Sequence, residues 1–310
     1  MPELPEVETA RRLLHTHLLG KKVSAVEVRL PKLLRDSPLP DLGALVGHQL
    51  IDTRRRAKVL GLDFDGHLSL LIHLKLAGQV AIFTPDGARF VAGHPIPKPD
   101  GMYPHKATHI DFRFDDGSIF YLSDVRQFGW LRLMPTDDVD SAIAAFGFGP
   151  EGTTDLRSII DLESKMKSRG IPIKSLLLDQ TFIAGLGNIY VDEALFDAWI
   201  HPERPASSLT GPERKRLLVA VPIALAEGLK QGGAKIINTR AFPVDNFPAV
   251  HGREGEPCFR CGTTIRKTRV GQRGTYFCPS CQKAKVARKP ARSDSAQLAV
   301  SRTDVSIRPK

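Results

Sequence analysis

The sequence predicts an α+β multidomain protein with an N-terminal helix and β-sandwich, a central helical domain, and a C-terminal hairpin that carries four cysteines. Three observations lead to this fold class. Short strand-like segments dominate the first 135 residues, helical patterns dominate after residue 152, and every cysteine lies between residues 258 and 281. At 310 residues, the chain is long enough for two or three domains.

The first predicted element is a helix over residues 5–19. Its apolar residues recur at helical spacing, and Gly20 stands where a C-terminal cap belongs. These apolar residues are Val7, Ala10, Leu13, Leu14 and Leu18.

Short strands follow the helix, and Asp65-Gly66 and Asp116-Gly117 are hairpin-turn signals between them. Residues 85–107, rich in Pro, Gly, His and Lys, predict an exposed loop. So many short strands favour a β-sandwich closed by the first helix, which makes residues 1–135 one domain. The predicted strands are 23–29, 59–64, 68–74, 80–83, 109–114, 119–122 and 130–133.

The composition changes after the sandwich. Residues 136–152 are acidic, small and Gly-rich, which predicts a linker. Residues 153–233 form the predicted helical domain, in which Pro222 is expected to kink the last helix. The predicted helices are 156–167, 173–183, 189–199 and 212–230.

A very short turn, Ala184-Gly-Leu-Gly-Asn188, joins the second and third of these helices. Gly185 and Gly187 permit positive φ and close backbone approach, and Asn188 is a good N-cap residue. A helix start beside glycines can cradle a phosphate. The alternative is an ordinary structural helical hairpin.

The four cysteines form two pairs, Cys258-x2-Cys261 and Cys278-x2-Cys281, separated by sixteen residues. This spacing is typical of a four-thiolate zinc site and uses every cysteine in the chain. Two disulfides in a secreted protein would be the alternative, but the sequence shows no apolar signal segment. We therefore predict one structural Zn²⁺ and a zinc finger at residues 258–285.

The charge is positive and unevenly placed. The net charge is +10, and residues 258–289 contain nine basic residues and no Asp or Glu. Such a hairpin favours a nucleic-acid partner, although charge alone leaves ribosomal or membrane-surface binding open. No apolar run reaches the length of a membrane span, so we expect no membrane partner. Residues 286–310 predict a disordered basic tail.

The N-terminal residues offer a nucleophile beside two acids. If Met1 is removed, Pro2 becomes the amino terminus with a secondary amine, and an α-amino group titrates near pH ~7.7–8.0. Such an amine can attack an aldehyde carbon and form an iminium ion. Glu3 and Glu6 lie within one helical turn of that amine. Helix capping by Pro and acidic residues is the simpler alternative.

Four motifs together resemble the formamidopyrimidine-DNA glycosylase/endonuclease VIII family, across about residues 1–285. These motifs are Pro2-Glu-Leu-Pro-Glu-Val-Glu8, Gly185-Leu-Gly-Asn-Ile-Tyr190, Gly252-Arg-Glu-Gly-Glu-Pro-Cys258 and Cys278-Pro-Ser-Cys-Gln282. The first-named branch is the closer match. The resemblance implies that residues 153–233 form a helix-two-turn-helix DNA-binding domain and that residues 234–257 contain a lesion-capping loop.

The resemblance also implies an activity. A member of this family would be a base-excision repair enzyme, a bifunctional DNA glycosylase and abasic-site lyase that removes oxidised purines from duplex DNA. A Schiff base on the N-terminal proline, then β,δ-elimination, is the implied chemistry. The expected partner is double-stranded damaged DNA, with the base flipped out of the stack. We further expect a monomer in the bacterial cytoplasm.

Roles for single residues come from the same resemblance. Pro2 would be the nucleophile, Glu3 would protonate the sugar ring oxygen and shuttle protons, and Glu6 would hold the amino terminus. The remaining residues would contact DNA phosphates or fill the space left by the flipped base. Phosphate contacts are expected from Lys58, Lys174, Asn188, His73 and Arg273. Of these, Lys58 would also aid base release, and Arg273 is also a catalytic candidate. The residues expected to fill the space are Leu76, Arg126 and Phe128.

Three departures from the family pattern leave alternatives open. Leu76 stands where methionine is common, Gln127 replaces a frequent second arginine, and residues 234–250 match the lesion-capping loop poorly. A family member directed to oxidised pyrimidines is therefore one alternative. A non-catalytic DNA-binding zinc protein is another.

Overall fold

The computed structural model describes residues 2–95, 98, 100–156, 160–237 and 239–284. It begins with helix α1 (Leu4–Leu18), whose bounds lie one residue before the predicted ones. The apolar face of α1 is buried in the core of the domain that follows, through Val7, Ala10, Leu14 and Leu18. Because the apolar face of α1 packs into this core, the residues just before the helix lie at the edge of the core.

Among the described residues, nine strands follow α1 and form two antiparallel sheets, which confirms the predicted β-sandwich. One sheet has the order β1-β7-β8-β5-β6, and the other has the order β2-β3-β4-β9. Their inner faces share one apolar core with α1. The strands are β1 (Val23–Val28), β2 (Leu50–Arg56), β3 (Val59–Phe64), β4 (Leu68–His73), β5 (Gly78–Phe83), β6 (Arg89–Gly93), β7 (Thr108–Phe114), β8 (Ile119–Asp124) and β9 (Trp130–Pro135).

Two of these strands were not predicted. β2 ends in three arginines, so its sequence lacks the alternation of apolar and polar residues that predicts a strand. It nevertheless pairs with β3, from Leu50 opposite Phe64 to Arg56 opposite Val59. β6 lies within the segment 85–107, so the prediction of a loop there was wrong in part. β6 is an edge strand that depends on its pairing with β5, a contact that local composition does not reveal.

The predicted linker at 136–152 also contains structure. A single turn of 3₁₀ helix (Thr136–Asp138) leads into helix α2 (Val139–Ala144). Val139 is buried in a small apolar cluster with Trp130 and Leu71, on the face of the four-stranded sheet away from the main core. The segment therefore covers a sheet face, which its small and acidic residues did not indicate.

In the part of the central domain that the structure describes, the further helices are α3 (Ile160–Lys167), α4 (Ile173–Leu178), α5 (Asn188–Asp197) and α6 (Gly211–Lys230). α4 ends five residues earlier than predicted. α6 remains one helix across Pro222. Gly187, and not Asn188 as predicted, is the N-cap of α5. The apolar residues of the four helices form a second core, which also receives Leu4 from α1.

The C-terminal region consists of two hairpins. The short strands β10 (Ile236–Ile237) and β11 (Arg240–Ala241) form the first, and β12 (Arg266–Val270) and β13 (Arg273–Phe277) form the second. Positive φ at Gly271 (53°) and Gln272 (63°) gives the second hairpin a two-residue turn. The predicted tail at 286–310 lies outside the described residues. Within the described part of the chain, no helix is both long and apolar enough to cross a membrane.

Candidate active site and DNA interface

The carboxylate of Glu3 caps helix α5 from a distant part of the chain. Its Oε1 accepts a hydrogen bond from the Ile189 N–H (2.9 Å), and its Oε2 accepts one from the Tyr190 N–H (3.3 Å). Glu3 is only 1% exposed. A Cβ at Gly187 would lie 2.4 Å from the Glu3 Cδ, so only glycine leaves room for this carboxylate. The predicted anion cradle at the start of α5 therefore holds a carboxylate of the same protein.

Glu6 ties the amino terminus to the region that follows α6. Its Oε2 accepts from the Glu3 N–H (2.8 Å), which closes a capping box at the start of α1. Its Oε1 accepts from the Tyr190 O–H (2.8 Å) and from the Ala234 N–H (2.9 Å). Burial, together with the Glu6 and Glu3 charges, raises the pKa of Tyr190 well above its usual value. Glu6 thus contacts the backbone at the start of α1, and its roles in holding the amino terminus and in binding near the lesion stay predictions.

Lys58 lies near Glu3, at the boundary between the β-sandwich and the helical domain. Its Nζ donates to the Leu186 carbonyl at 2.5 Å, within the Gly-Leu-Gly turn. Burial lowers the pKa of Lys58, and the charges of Glu3 and Glu6 oppose that effect. Burial raises the pKa of Glu3, and the positive charge of Lys58 offsets only part of this rise. The pKa values of Glu3 and Lys58 are therefore closer together than those of a free glutamate and a free lysine.

The turn before Lys58 is fixed by Glu151. Ala57 has positive φ (53°), and its N–H donates to Glu151 Oε1. Arg55 donates two hydrogen bonds to the same carboxylate, at 2.8 and 2.9 Å. These contacts join the β2–β3 turn to the start of the helical domain. The position of Lys58 relative to Glu3 is consequently set by ion pairs between domains.

Two adjacent cavities meet at Pro2. The larger has a volume of about 580 Å³ and the smaller about 350 Å³, both within the usual range of ligand sites. Pro2 lines both cavities, so this residue lies where the two cavities meet. The larger is lined by Glu3, Glu6, Leu76, Asn188 and Arg273, and the smaller by Lys58, His73, Leu76, Asn188 and Arg273. The structure thus brings together eight of the eleven predicted catalytic and DNA-contacting residues.

Lys174 is not among these eight. Its side chain is fully buried, and its Nζ donates to Asp192 Oδ1 (2.7 Å) and to the Gly274 carbonyl (3.1 Å). Asn188 Nδ2 donates to the same carbonyl (2.8 Å). Both side chains therefore anchor the β12–β13 hairpin, which leaves Arg273 exposed at its turn. A phosphate contact by Lys174 would require this buried pairing to open, so that predicted role is not supported by the conformation observed.

His73 is held as a neutral ring. Its Nδ1 accepts the N–H of Lys75 (2.9 Å). Burial lowers the pKa of His73 to about 3, assisted by the positive charges of Lys75 and Lys58. At neutral pH the ring can meet a phosphate only as a neutral donor through Nε2, without the charge that a clamping cation would supply.

Arg126 and Phe128 lie on the loop between β8 and β9, outside both cavities. The Asp124 carboxylate accepts the backbone N–H groups of Arg126 (3.0 Å), Phe128 (2.9 Å) and Gly129 (2.7 Å). The Phe128 side chain is 49% exposed, and the Arg126 guanidinium lies 5.0 Å from its ring centre. An exposed aromatic ring on a braced backbone suits insertion into a base stack.

The four cysteine sulfurs converge as the sequence predicted. They all lie within 4.8 Å of one another, and Cys261 Sγ is 3.5 Å from the sulfurs of both Cys278 and Cys281. Four thiolates at about 2.3 Å from a tetrahedral zinc would be roughly 3.8 Å apart, so the arrangement fits this metal. The fourth sulfur belongs to Cys258, which is buried.

Three family profiles match the chain in the order of its domains. The formamidopyrimidine-DNA glycosylase N-terminal domain matches residues 1–131, and the H2TH domain of the same family matches residues 148–240. The zinc finger found in FPG and IleRS matches residues 255–284. The chain belongs to the formamidopyrimidine-DNA glycosylase family.

Curated relatives from bacteria match over nearly the whole chain. The formamidopyrimidine-DNA glycosylases of Pelotomaculum thermopropionicum and Streptococcus thermophilus are 39% and 38% identical to it. These matches cover 92% and 91% of this chain and all of each relative. As a member of the family, the protein is a DNA glycosylase with a zinc-finger domain.

Solved structures of the family have the same fold. The Lactococcus lactis Fpg in complex with DNA containing an abasic site is 34% identical, with a TM-score of 0.78. A complex of that enzyme with DNA containing Fapy-dG is 34% identical, with a TM-score of 0.77. Both matches cover 91% of this chain and all of the other.

Sequence reasoning missed three buried polar residues beside the larger cavity of this glycosylase. Asp192 and Glu193 are consecutive acids between apolar residues in the middle of α5, and both are at most 2% exposed. His251 pairs with Asp192 at 2.7 Å and lines the cavity. Two neighbouring acids within an apolar helix were the signal that could have revealed this cluster, because buried charges need partners.

Proposed function

We propose that the protein is a bifunctional DNA glycosylase and abasic-site lyase that excises oxidised purines, among them 8-oxoguanine and formamidopyrimidines, from duplex DNA. The observation that carries this proposal is the position of Pro2 at the boundary of two cavities, with Glu3, Glu6 and Lys58 around it. The larger cavity can receive a base that has left the stack. The related Lactococcus lactis enzyme forms complexes with DNA that contains Fapy-dG or an abasic site, which agrees with this substrate class.

The first chemical step forms a bond between the Pro2 nitrogen and the sugar C1′. The bond from C1′ to the damaged base breaks, and the base leaves with the electron pair and takes up the proton that the Pro2 amine loses on forming its new bond. Glu3 then protonates the ring oxygen, the C1′–O4′ bond opens, and an iminium ion forms on Pro2. Burial favours the protonated form of Glu3, since it raises the pKa of that carboxyl group.

The iminium ion acidifies the C2′ proton. Removal of that proton expels the 3′ phosphate by β-elimination, and a second proton removal expels the 5′ phosphate by δ-elimination. Lys58 is a suitable proton acceptor because burial lowers its pKa and so increases its neutral fraction. Arg273 is exposed at the hairpin turn and borders both cavities, where its charge can hold a departing phosphate.

The zinc finger should hold Arg273 in place. One Zn²⁺ bound by Cys258, Cys261, Cys278 and Cys281 would close the base of the hairpin. Substitution of Cys278 by Ser should remove the metal and weaken DNA binding by about 100-fold or more, since basic groups on the hairpin lose their alignment. Metal content and DNA affinity at fixed salt measure this, with Ser280→Ala, in the same knuckle, as control. Unchanged affinity in the zinc-free variant would contradict a role for the finger in the clamp.

The residues that line both cavities belong to one chain, so we expect a monomer to act on each lesion. We also expect the enzyme to work in the bacterial cytoplasm, where the chromosome lies.

The test is excision from a duplex that carries 8-oxoguanine opposite cytosine. We expect release of the base and a one-nucleotide gap with phosphate at both ends. Base release that leaves the strand intact would contradict the lyase assignment. Activity only on a duplex with an oxidised pyrimidine would mean that the enzyme acts on oxidised pyrimidines instead. Binding with no turnover on any lesion would favour a non-catalytic DNA-binding protein.

A further inference from the structure

Gln180 lies two residues after α4 and lines the smaller cavity together with Lys58 and Leu186. Its side-chain amide is bonded at both ends. Nε2 donates to the carbonyls of Leu178 (2.9 Å) and Leu186 (2.9 Å), and Oε1 accepts from the Gly185 N–H (3.1 Å). Two carbonyl acceptors on one side and an N–H donor on the other allow only this orientation of the amide. Gln180 therefore holds the Gly-Leu-Gly turn through contacts that no apolar side chain can make.

The backbone on both sides of this amide is fixed without it. The Gln180 carbonyl accepts from the Gly149 N–H (2.9 Å), and the Ala184 N–H donates to the Pro150 carbonyl (2.8 Å). These bonds tie the chain before the turn to the start of the helical domain. Replacement of the Gln180 side chain should consequently leave the turn folded, so that an effect on the reaction can be separated from unfolding.

The Leu186 carbonyl receives two donors, one from each domain. Gln180 Nε2 is one, and Lys58 Nζ, at 2.5 Å, is the other. A carbonyl oxygen has two lone pairs, so both bonds form together. Leu186 is fully buried, and a buried carbonyl that loses its donor is costly. Lys58 can therefore leave this carbonyl at low cost because Gln180 remains bonded to it.

The proposed chemistry requires Lys58 to leave the carbonyl. Lys58 takes the C2′ proton only as a neutral amine, after its ammonium group has lost a proton, and its lone pair must then point at C2′. A neutral amine is also a weaker donor to a carbonyl than an ammonium group. Without a second donor, the Leu186 carbonyl would favour the ammonium form and so raise the pKa of Lys58.

We propose that Gln180 is a positioning residue for Lys58, which keeps the Leu186 carbonyl hydrogen-bonded while Lys58 leaves it for the sugar of the lesion. This inference rests on the proposed function, since it takes Lys58 as the proton acceptor in elimination. Gln180 acts only through the Leu186 carbonyl and Lys58.

The experiment separates elimination from nucleophilic attack. In single turnover on a duplex with an abasic site, borohydride trapping gives the rate of iminium formation, and strand scission gives the rate of β-elimination. Both rates are measured between about pH 6 and 10, a range that spans the ordinary amine pKa values.

Two variants remove the donor to Leu186 in different ways. Gln180→Met is uncharged and removes the whole amide, whereas Gln180→Glu keeps an acceptor for the Gly185 N–H. Thr181→Ala is the control, because it removes an exposed hydroxyl that donates to Asp179 in the same part of the chain.

Gln180→Met leaves the charged and titratable groups around Lys58 in place. Burial lowers the pKa of Lys58, Glu3 and Glu6 oppose this effect, and Arg273 adds to it. A shift in the pH profile of this variant therefore reports on the carbonyl. The surrounding groups are Pro2, Glu3 and Glu6 at the amino terminus, His73 and Lys75 at the end of β4, and Arg273 on β13.

We expect both Gln180 variants to slow elimination at pH 7 about 3- to 10-fold and to displace its rise with pH upward by about 0.5 to 1 unit. The physical reason is that Lys58 stays protonated to higher pH. Iminium formation, and the elimination rate at the high-pH plateau, should stay within about twofold of the wild type.

Equal slowing at every pH would assign Gln180 a structural role and overturn the proposal, as would a wild-type profile in Gln180→Met. A shift in Gln180→Met alone would point to the Gly185 contact, and a shift in Gln180→Glu alone would point to the added charge. Either result would also contradict the proposal. If the wild-type enzyme forms no iminium ion on the abasic duplex, the proposed function itself fails.

Discussion

The α1–α5 junction (residues 2–6 with 185–190) and the probe loop (residues 125–129) are both predicted to contact the DNA, but they are held in different ways. At the junction, the side chains of Glu3 and Glu6 are themselves buried and accept hydrogen bonds from backbone or hydroxyl donors. In the probe loop, Asp124 fixes only the backbone, and the side chains of Arg126 and Phe128 stay exposed.

The difference follows from what each region has to do. Groups that move protons need a fixed distance to the sugar, because small displacements are costly in rate. Side chains that replace a flipped base must adapt to whichever neighbours remain in the stack. We therefore expect substitutions at the junction to act on chemistry and substitutions in the probe loop to act on base eversion.

The largest effect is expected from Glu3→Gln. The amide keeps the shape of the side chain but cannot deliver the proton that opens the sugar ring. Turnover should fall about 10²- to 10⁴-fold on both 8-oxoguanine and abasic duplexes. Rates in single turnover measure this, with Glu27→Gln, a half-exposed glutamate on β1 away from the site, as the control. Normal turnover in Glu3→Gln would remove this residue from the mechanism.

Gly187→Ala tests the same junction without replacing a residue that takes part in the chemistry. The backbone φ of −138° suits alanine, but the added Cβ would lie 2.4 Å from Glu3 Cδ and displace the carboxylate. Excision should fall about 10- to 100-fold, as expected for a misplaced catalytic group. Gly170→Ala, where no atom lies within 4 Å of the new Cβ, is the control. Equal activity of the two variants would mean that the cap does not position Glu3.

A smaller effect, of a different kind, is expected from Phe128→Ala. The ring is half-exposed, so stability should change by about 0.5 kcal/mol or less. Excision of 8-oxoguanine should fall about tenfold because the wedge is lost. Val125→Ala, in the same loop and 51% exposed, serves as control. Loss of thermal stability without loss of excision would place Phe128 in the fold and not in the DNA contact.

The smallest effect concerns stability alone. Burial raises the pKa of Glu8, but hydrogen bonds from Arg11, Arg12 and Arg55 outweigh this and lower it to about 2. A depressed carboxyl pKa adds stability above the unfolded-state value near 4.5, and this stability is lost as pH falls towards 2. The contribution at neutral pH is on the order of 2 kcal/mol.

Glu8→Gln should therefore destabilise the protein at pH 7 and flatten its stability profile between about pH 4.5 and 2. Denaturant unfolding across this range measures the effect. Glu27→Gln, whose carboxylate is half-exposed beside Arg29, is the control. A Glu8→Gln profile parallel to that of the wild type would show that the ion-pair cluster does not shift this titration.

Local patterns predicted the parts of this fold that depend on local chemistry. The apolar stripe of α1 and the Asp-Gly hairpin turns placed their elements within one or two residues. β6 escaped prediction because only its pairing with β5 makes it a strand. α2 escaped because its burial depends on the sheet face beneath it.

The same distinction holds at the site. Motif resemblance led to Pro2, Glu3 and Lys58, which meet at the domain boundary. It missed Asp192 and His251, because their pairing spans 59 residues and appears only after the hairpin region packs on α5. Spacing in the sequence does not encode such long-range partners.

The central claim is that the nucleophile is the nitrogen of Pro2. Borohydride reduction during reaction with the 8-oxoguanine duplex would trap the iminium ion as a stable covalent adduct. Digestion and mass spectrometry then locate the DNA fragment on the protein. We expect an adduct on Pro2, at the mature amino terminus. An adduct on Lys58 or another lysine, with Pro2 unmodified, would contradict it.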